Sequence, residues 1–141
     1  LKRIQLKKRI TEVLPMEWML PAIGQGAIGI ETRVGDEATL SLIQHLNDSH
    51  TWDCLLAERA LLSELEGNCQ LPLAGYCVLN GEELFLRAAI GDPEGKTILR
   101  CEGSAPRQNA ERLGKDVAHS LLKNGAGELL RKAVSTAHIE F

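Results

Sequence analysis

The four cysteines are the most reactive side chains of this sequence, and Cys69 differs from the other three in its surroundings. It lies in the run LEGNCQLP at 65–72, between a segment with a helical apolar pattern and one typical of a strand. A thiol on such a loop can reach solvent or a cleft, where its thiolate can attack carbon. The alternative is a small buried packing residue, because free cysteine is among the most buried residue types. The loop makes Cys69 a candidate attachment point.

The remaining cysteines and the histidines do not suggest a metal site. No two cysteines form a CxxC pair, so we expect neither zinc nor iron–sulfur ligation. We interpret the cysteines that lie within helix and strand patterns as packing residues: Cys54, Cys77 and Cys101. The histidines lack ligand-like spacing and are assigned to surface or cap positions: His45, His50, His119 and His138. We therefore predict no metal.

Glu58 and Arg59 are adjacent charged residues on the helical segment that precedes Cys69. Neighbouring residues point to different sides of a helix, so a direct ion pair between them is not expected. We predict a structural role for both, in which each pairs with other elements.

Composition places the chain among ordinary globular proteins. Its 141 residues are 44% hydrophobic and 25% charged, with a net charge of −3, so one core can form and a general nucleic-acid binder is disfavoured. No apolar stretch has bilayer-spanning length, and no secretory signal opens the chain. We expect a reducing, cytoplasmic location. Because the chain opens at Leu1 in a basic amphipathic stretch, we expect a piece of a longer polypeptide.

The second half of the chain has the pattern of a helix, a three-stranded meander and two more helices. Asn80-Gly81 is a strong hairpin signal, and 91–95 is a second turn. The predicted helices span 51–65, 106–123 and 128–137, and the predicted strands span 71–79, 84–89 and 97–102. This order predicts an α+β domain whose antiparallel sheet is covered by helices on one face.

The first half does not close on itself. Helical spacing runs over 6–14 and ends at Pro15, a glycine turn leads into a predicted strand at 24–32, and a short helix is predicted at 36–46. The polar cluster at 47–49 then marks a boundary. We expect this lone strand to need a partner sheet that the chain does not contain.

Three motifs together resemble the porphobilinogen deaminase family, also called hydroxymethylbilane synthases. They are LPAIGQGAIGIE at 20–31, AERA at 57–60 and LEGNCQLP at 65–72. The resemblance covers essentially all of this chain and about the C-terminal half of the family's three-domain polypeptide. Asn68 stands where the family commonly has a second glycine, and asparagine tolerates left-handed backbone better than most residues.

The resemblance implies an enzyme and a cofactor. The family is a transferase of haem biosynthesis that condenses four porphobilinogen molecules into the linear tetrapyrrole hydroxymethylbilane and releases ammonia. Its dipyrromethane cofactor is held by a thioether to one cysteine, which matches Cys69. Arg3 matches an arginine that binds carboxylates of the cofactor and the growing chain. Gln25 and Gly26 match a segment that approaches the cofactor, although a turn that merely connects elements would look the same.

The resemblance also implies how the chain is organised. Residues 1–47 correspond to the end of the second domain with a crossover to the first, an α/β fragment, and 48–141 to the cofactor-attachment domain. The family's catalytic aspartate belongs to the N-terminal domain, so we expect no catalytic residue in this fragment and no turnover by it alone. The implied partners are porphobilinogen, its oligomers and the missing N-terminal half, with no nucleic acid or membrane. The full-length enzyme is expected to be monomeric.

Two other functions remain open from the residues. The chain could be a non-enzymatic α+β binding module with Cys69 inert, or a redox sensor that uses this thiol. The lack of a resolving cysteine at short spacing disfavours the sensor. Intact mass distinguishes these alternatives, because a cofactor-loaded chain is heavier by a dipyrromethane unit.

Overall fold

The computed structural model describes residues 1–65, 72–92 and 94–137, with side chains as far as residue 132. The helices are α1 (Glu37–Ile43), α2 (Ser49–Glu64), α3 (Ala110–Lys123) and α4 (Ala126–Ala137). The strands are β1 (Leu73–Asn80), β2 (Glu83–Gly91) and β3 (Ile98–Pro106). Single 3-10 turns occur at Lys7–Arg9, Gln44–Leu46 and Arg107–Asn109. The predicted α+β class is confirmed.

The three strands form one antiparallel sheet in the order β1-β2-β3. Asn80 pairs with Glu83, and Gly81 occupies the tight turn between them with φ of 65°. Left-handed backbone favours glycine, which explains the strength of the Asn-Gly signal. At the second turn, the Asp92 carboxylate accepts hydrogen bonds from the Lys96 and Thr97 N–H groups, at 3.0 and 2.9 Å. Both predicted turns are confirmed.

The core lies between one face of the sheet and the helices α2 and α3. Alternate residues of β2 point into it, and Leu84 and Leu86 are fully buried there. The two helices approach closely at Gly114, where an added Cβ would lie 2.3 Å from the Ala57 carbonyl oxygen. Only glycine permits this distance between the helices. The arrangement matches the predicted sheet covered on one face.

The first 47 residues differ from their predicted secondary structure. The helix expected over 6–14 is reduced to the 3-10 turn Lys7–Arg9, and the strand expected over 24–32 does not form. A strand needs a neighbour to satisfy its backbone groups, and within the described chain residues 24–32 have none. The isolated bridge between Ala22 and Ala74 lies before this segment. The helix predicted at 36–46 is present as α1 and the following 3-10 turn.

None of the helices in the described ranges combines the length and apolar character that a membrane span requires.

Candidate functional site

A cleft of about 410 Å³ lies where three parts of the chain meet. A turn at 24–27 forms one wall, the amino-terminal half of α2 forms a second and β1 forms the third. Its walls are formed by the following residues: Pro21, Ala22, Gly24, Gln25, Gly26, Ala27, His50, Thr51, Cys54, Leu55, Glu58, Tyr76, Cys77, Val78 and Leu79. The volume falls within the range of about 300–1,000 Å³ that is typical of small-molecule sites.

The turn at 24–27 depends on two glycines. Gly24 and Gly26 have φ values of 69° and 89°, which side chains rarely adopt. The Gln25 N–H donates to the Ala22 carbonyl at 3.1 Å, and the Ala27 N–H donates to the Gly24 carbonyl at 3.2 Å. A Cβ on Gly26 would meet no atom within 4 Å, so backbone conformation rather than crowding requires glycine there.

Gln25 presents an amide at the rim of the cleft. Its Oε1 accepts a hydrogen bond from the Ala22 N–H at 3.3 Å, which fixes the orientation of the carboxamide. The side-chain NH₂ therefore points away from this contact. Gln25 can donate hydrogen bonds to an acceptor in the cleft, and this agrees with its predicted role without testing it.

Glu58 is a buried carboxylate at the back of the cleft, with 5% of its surface exposed. Its Oε2 accepts a hydrogen bond from the Gly24 N–H at 2.8 Å, and its Oε1 accepts one from the Cys77 N–H at 2.9 Å. Burial raises the pKa of Glu58, and these two hydrogen bonds partly offset the shift because they favour the charged form. Glu58 thus pairs with other elements, as the sequence predicted.

A carboxylate within the apolar stripe of α2 was the sequence signal for this contact. Glu58 lies four residues after Cys54 and three before Leu61, so all three share one helix face. A charge in that position must find partners when the face is buried. The adjacent Arg59 lies on the exposed side of the helix, and its predicted pairing is not seen among the described residues.

The described cysteines behave as packing residues, as predicted. Cys77 is buried, and Cys54 and Cys101 are half-buried against the core. Burial raises the pKa of the Cys54 thiol and raises that of Cys77 far above its ordinary value. A raised pKa leaves little thiolate at neutral pH, so Cys54 and Cys77 are poor nucleophiles although both line the cleft.

The other predicted site residues differ in what can be said of them. Gln25 and Gly26 line the cleft together. Arg3 lies in an exposed turn at 2–5, is not part of the cleft wall and makes no ion pair with the residues that the structure describes. Cys69 lies outside the described residues.

A metal centre is not formed by the described part of the chain. Within residues 1–65, 72–92 and 94–132, no three or more His, Cys, Asp or Glu side chains are grouped to hold an ion. His119 instead contacts the Glu64 carboxylate at 2.9 Å on the surface, and His50 lies at the rim of the cleft. His138 lies outside the described residues.

A second cavity of about 610 Å³ lies on the face of the sheet that points away from α2 and α3. Arg87 lines it, and its guanidinium donates to the Glu17 carboxylate at 2.9 Å and lies 5.1 Å from the centre of the Phe85 ring. Arg100 and Glu102 also line the cavity. The positive and negative side chains are balanced, so this cavity does not select for an anionic ligand.

Comparison with protein families identifies both parts of the chain. The model for the porphobilinogen deaminase C-terminal domain matches residues 52–123, which is more than half of the chain. The model for the porphobilinogen deaminase dipyromethane cofactor binding domain matches residues 1–41. The first match contains α2 except for its first three residues, the sheet and α3, and the second contains the Gly24–Gly26 turn. Because the two matches together cover most of its residues, the chain belongs to the porphobilinogen deaminase family.

Proposed function

We propose that this chain is the cofactor-carrying part of a porphobilinogen deaminase that condenses four porphobilinogen molecules head to tail into hydroxymethylbilane, with release of ammonia. The observation that carries the proposal is the pair of family matches in chain order, a dipyromethane cofactor binding domain followed by the C-terminal domain. This family belongs to tetrapyrrole biosynthesis, and its full-length members are transferases.

The described wall of the cleft suits the pyrrole rings of a dipyrromethane. Leu55 and Val78 provide apolar surface for the rings, and the Thr51 hydroxyl can accept a hydrogen bond from a pyrrole N–H. The Gln25 NH₂ can donate to a carboxylate of such a molecule. No lysine or arginine is part of this wall within the described residues, although the acetate and propionate groups of such a molecule need cationic partners. We propose that Arg3 and residues of the missing N-terminal half supply them.

Cys69 is the proposed attachment point. Its thiolate sulfur would form a thioether with the exocyclic methylene carbon of the first pyrrole, and the carbon–nitrogen bond of that carbon would break to release ammonia. The bound dipyrromethane supplies the primer to which substrate pyrroles are joined. Such a tether makes successive condensations effectively intramolecular. The raised pKa values of Cys54 and Cys77 support Cys69 over those two thiols.

The same proposal covers the organisation of the whole enzyme. Residues 1–47 would end the second domain and return toward the first, and 48–141 would form the third domain. No catalytic residue is assigned to this chain, so it should be inactive alone and act as a monomer once joined to the N-terminal half. Three free thiols support a reducing, cytoplasmic location: Cys54, Cys77 and Cys101.

The test is a chimera in which this chain replaces the corresponding half of an active porphobilinogen deaminase. We expect the purified, denatured chimera to be heavier by one dipyrromethane unit and to convert porphobilinogen to products that oxidise to uroporphyrin. Cys69→Ser should lose both the added mass and the activity. Cys101→Ser is the matched control, and it should keep both.

Two results would contradict the proposal. One is quantitative alkylation of Cys69 in the active chimera, because a thioether sulfur does not react with such reagents. The other is uroporphyrin formation by the isolated chain, because we assign it no catalytic residue. Reversible oxidation of Cys69 without added mass would instead favour the redox sensor. If Cys69 showed no reversible oxidation and the chimera no added mass, the result would favour a binding module.

A further inference from the structure

Glu58 joins two parts of the chain that are distant in sequence. Its two acceptor atoms bind N–H groups that lie 34 and 19 residues away, one in the turn at 24–27 and one in β1. Among the charged side chains in the described ranges, Glu58 alone is buried. A buried charge of this kind is costly unless it is fully hydrogen-bonded, so both contacts matter.

Few other hydrogen bonds attach the turn to the sheet in the described part of the chain. The Gly75 N–H donates to the Pro21 carbonyl at 3.1 Å, and Ala22 forms the isolated bridge with Ala74. Both contacts precede the turn. Beyond them, within the described residues, the hydrogen bond from the Gly24 N–H to the Glu58 carboxylate fixes where the turn begins.

A carboxylate suits this site better than a neutral amide. Two N–H donors converge on it, and a carboxylate offers two acceptor oxygens. Glutamine has the same shape but a single oxygen, so its NH₂ would face one of the donors. Replacing Glu58 by glutamine therefore loses one contact without creating a cavity.

We propose that Glu58 is a positioning residue for the cofactor cleft: it holds the Gly24–Gly26 turn against β1, so that the Gln25 amide faces the space a bound pyrrole would occupy. The proposal deepens the proposed function and rests on it for the identity of the ligand. Its geometric part, the link between the turn and β1, can be measured without any ligand.

Other titratable groups face the same cleft and must be separated from Glu58 in any test. His50 and Cys54 lie on α2, two turns and one turn before it. Tyr76 and Cys77 lie on β1. Histidine is the residue type whose charge most readily changes near neutral pH, so His50→Gln is a necessary control.

The experiment is an NMR pH titration of the isotope-labelled 141-residue chain. We expect the Gly24 and Cys77 amide protons to shift with one common midpoint, above the ordinary range of a glutamic acid. Glu58→Gln should abolish both shifts. Two control variants should preserve both shifts. They are His50→Gln and Glu64→Gln, and Glu64 is a carboxylate on the same helix that contacts His119 instead.

A second readout connects the contact to the cleft. In the chimera described above, Glu58→Gln should lower the fraction of molecules that carry the added mass, whereas Glu64→Gln should not. The proposal is overturned if the Gly24 amide shift persists in Glu58→Gln, or if the loaded fraction is unchanged. If Glu58→Gln does not fold, independent midpoints of the two amides in the unsubstituted chain overturn it, and a shared midpoint supports it.

Failure of the proposed function is recognised separately. In that case neither the unsubstituted chimera nor Glu64→Gln carries added mass. The common titration of the Gly24 and Cys77 amides still decides whether Glu58 holds the turn.

Discussion

Residues 1–47 and the described residues from 48 to 132 differ in how deeply their apolar side chains are buried. In the first region Ile28 is 92% exposed and Trp18 is 68% exposed, and no residue of this region is buried. In the second region Leu61 and Leu86 have no exposed surface. Apolar residues are frequent in both regions, so their number does not decide which region forms a core.

The difference lies in whether one apolar face meets another. In the second region α2 and α3 both cover the inner face of the sheet, and α3 has a strong amphipathic pattern. In the first region α1 is only seven residues long, and the segment at 24–32 has no strand beside it in the described part of the chain. Exposed apolar surface of this kind marks an interaction site, which agrees with the proposed N-terminal half as its partner.

The largest expected difference between the regions comes from truncating one apolar side chain in each. Leu86→Ala should lower the free energy of unfolding by about 2–5 kcal/mol, because it leaves a cavity in the core. Ile28→Ala should change it by less than about 0.5 kcal/mol. Urea denaturation of both variants measures the two values, and equal losses would show that the first region is part of the core.

A glycine in each region gives the next comparison. Gly114→Ala should cost about 1–3 kcal/mol, because its Cβ would overlap the Ala57 carbonyl and neither helix backbone can move freely. Gly29 has nothing within 4 Å and no left-handed backbone, so Gly29→Ala should be within about 0.5 kcal/mol of the parent. Thermal denaturation measures both. A neutral Gly114→Ala would contradict the close approach of α2 and α3.

Two aspartates that begin helices allow a comparison of the same chemistry in both regions. The Asp48 carboxylate accepts from the Thr51 N–H at 2.7 Å, and the Asp36 carboxylate accepts from the Thr39 N–H at 3.0 Å. Asp48→Ala should lower Tm by a few degrees, because α2 belongs to the core. Asp36→Ala should lower helical circular dichroism slightly and leave Tm unchanged. A Tm loss from both would mean that α1 unfolds together with the core.

The smallest expected effect is a change in how stability depends on pH. The pKa of Glu58 is raised in the folded chain, so the folded state holds this proton more tightly than the unfolded state does. The contribution of Glu58 is therefore most favourable below the unfolded pKa and is lost as pH rises through the folded pKa. Over this window Glu58→Gln should remove a fall in stability with rising pH, measured by urea denaturation at several pH values. An unchanged slope would contradict the raised pKa.

The second region could be predicted from sequence because its signals are local. Gly81 identifies the hairpin, and the spacing of Leu113, Val117 and Leu121 identifies the buried face of α3. Each pattern predicts a helix or strand, and the elements that pack against it lie nearby in the sequence, between residues 49 and 123. The helices and strands differ from their predicted bounds by only a few residues for this reason.

The first region could not be predicted in the same way. Alternation over 24–32 indicates a strand only if another strand lies beside it, and no local pattern reports a partner elsewhere. The candidate site was predicted in part. Gln25 and Gly26 line the cleft, whereas the partners of Glu58 were unknown because they depend on tertiary contacts with Gly24 and Cys77.

The outer edge of β1 has a consequence for self-association. The N–H groups of Gly75 and Cys77 point away from β2, and they are satisfied by the Pro21 carbonyl and the Glu58 carboxylate. An open strand edge would template pairing with a strand of a second molecule. The segment before the turn and one buried carboxylate therefore protect this edge, and chains that lose either should form aggregates before they lose their sheet.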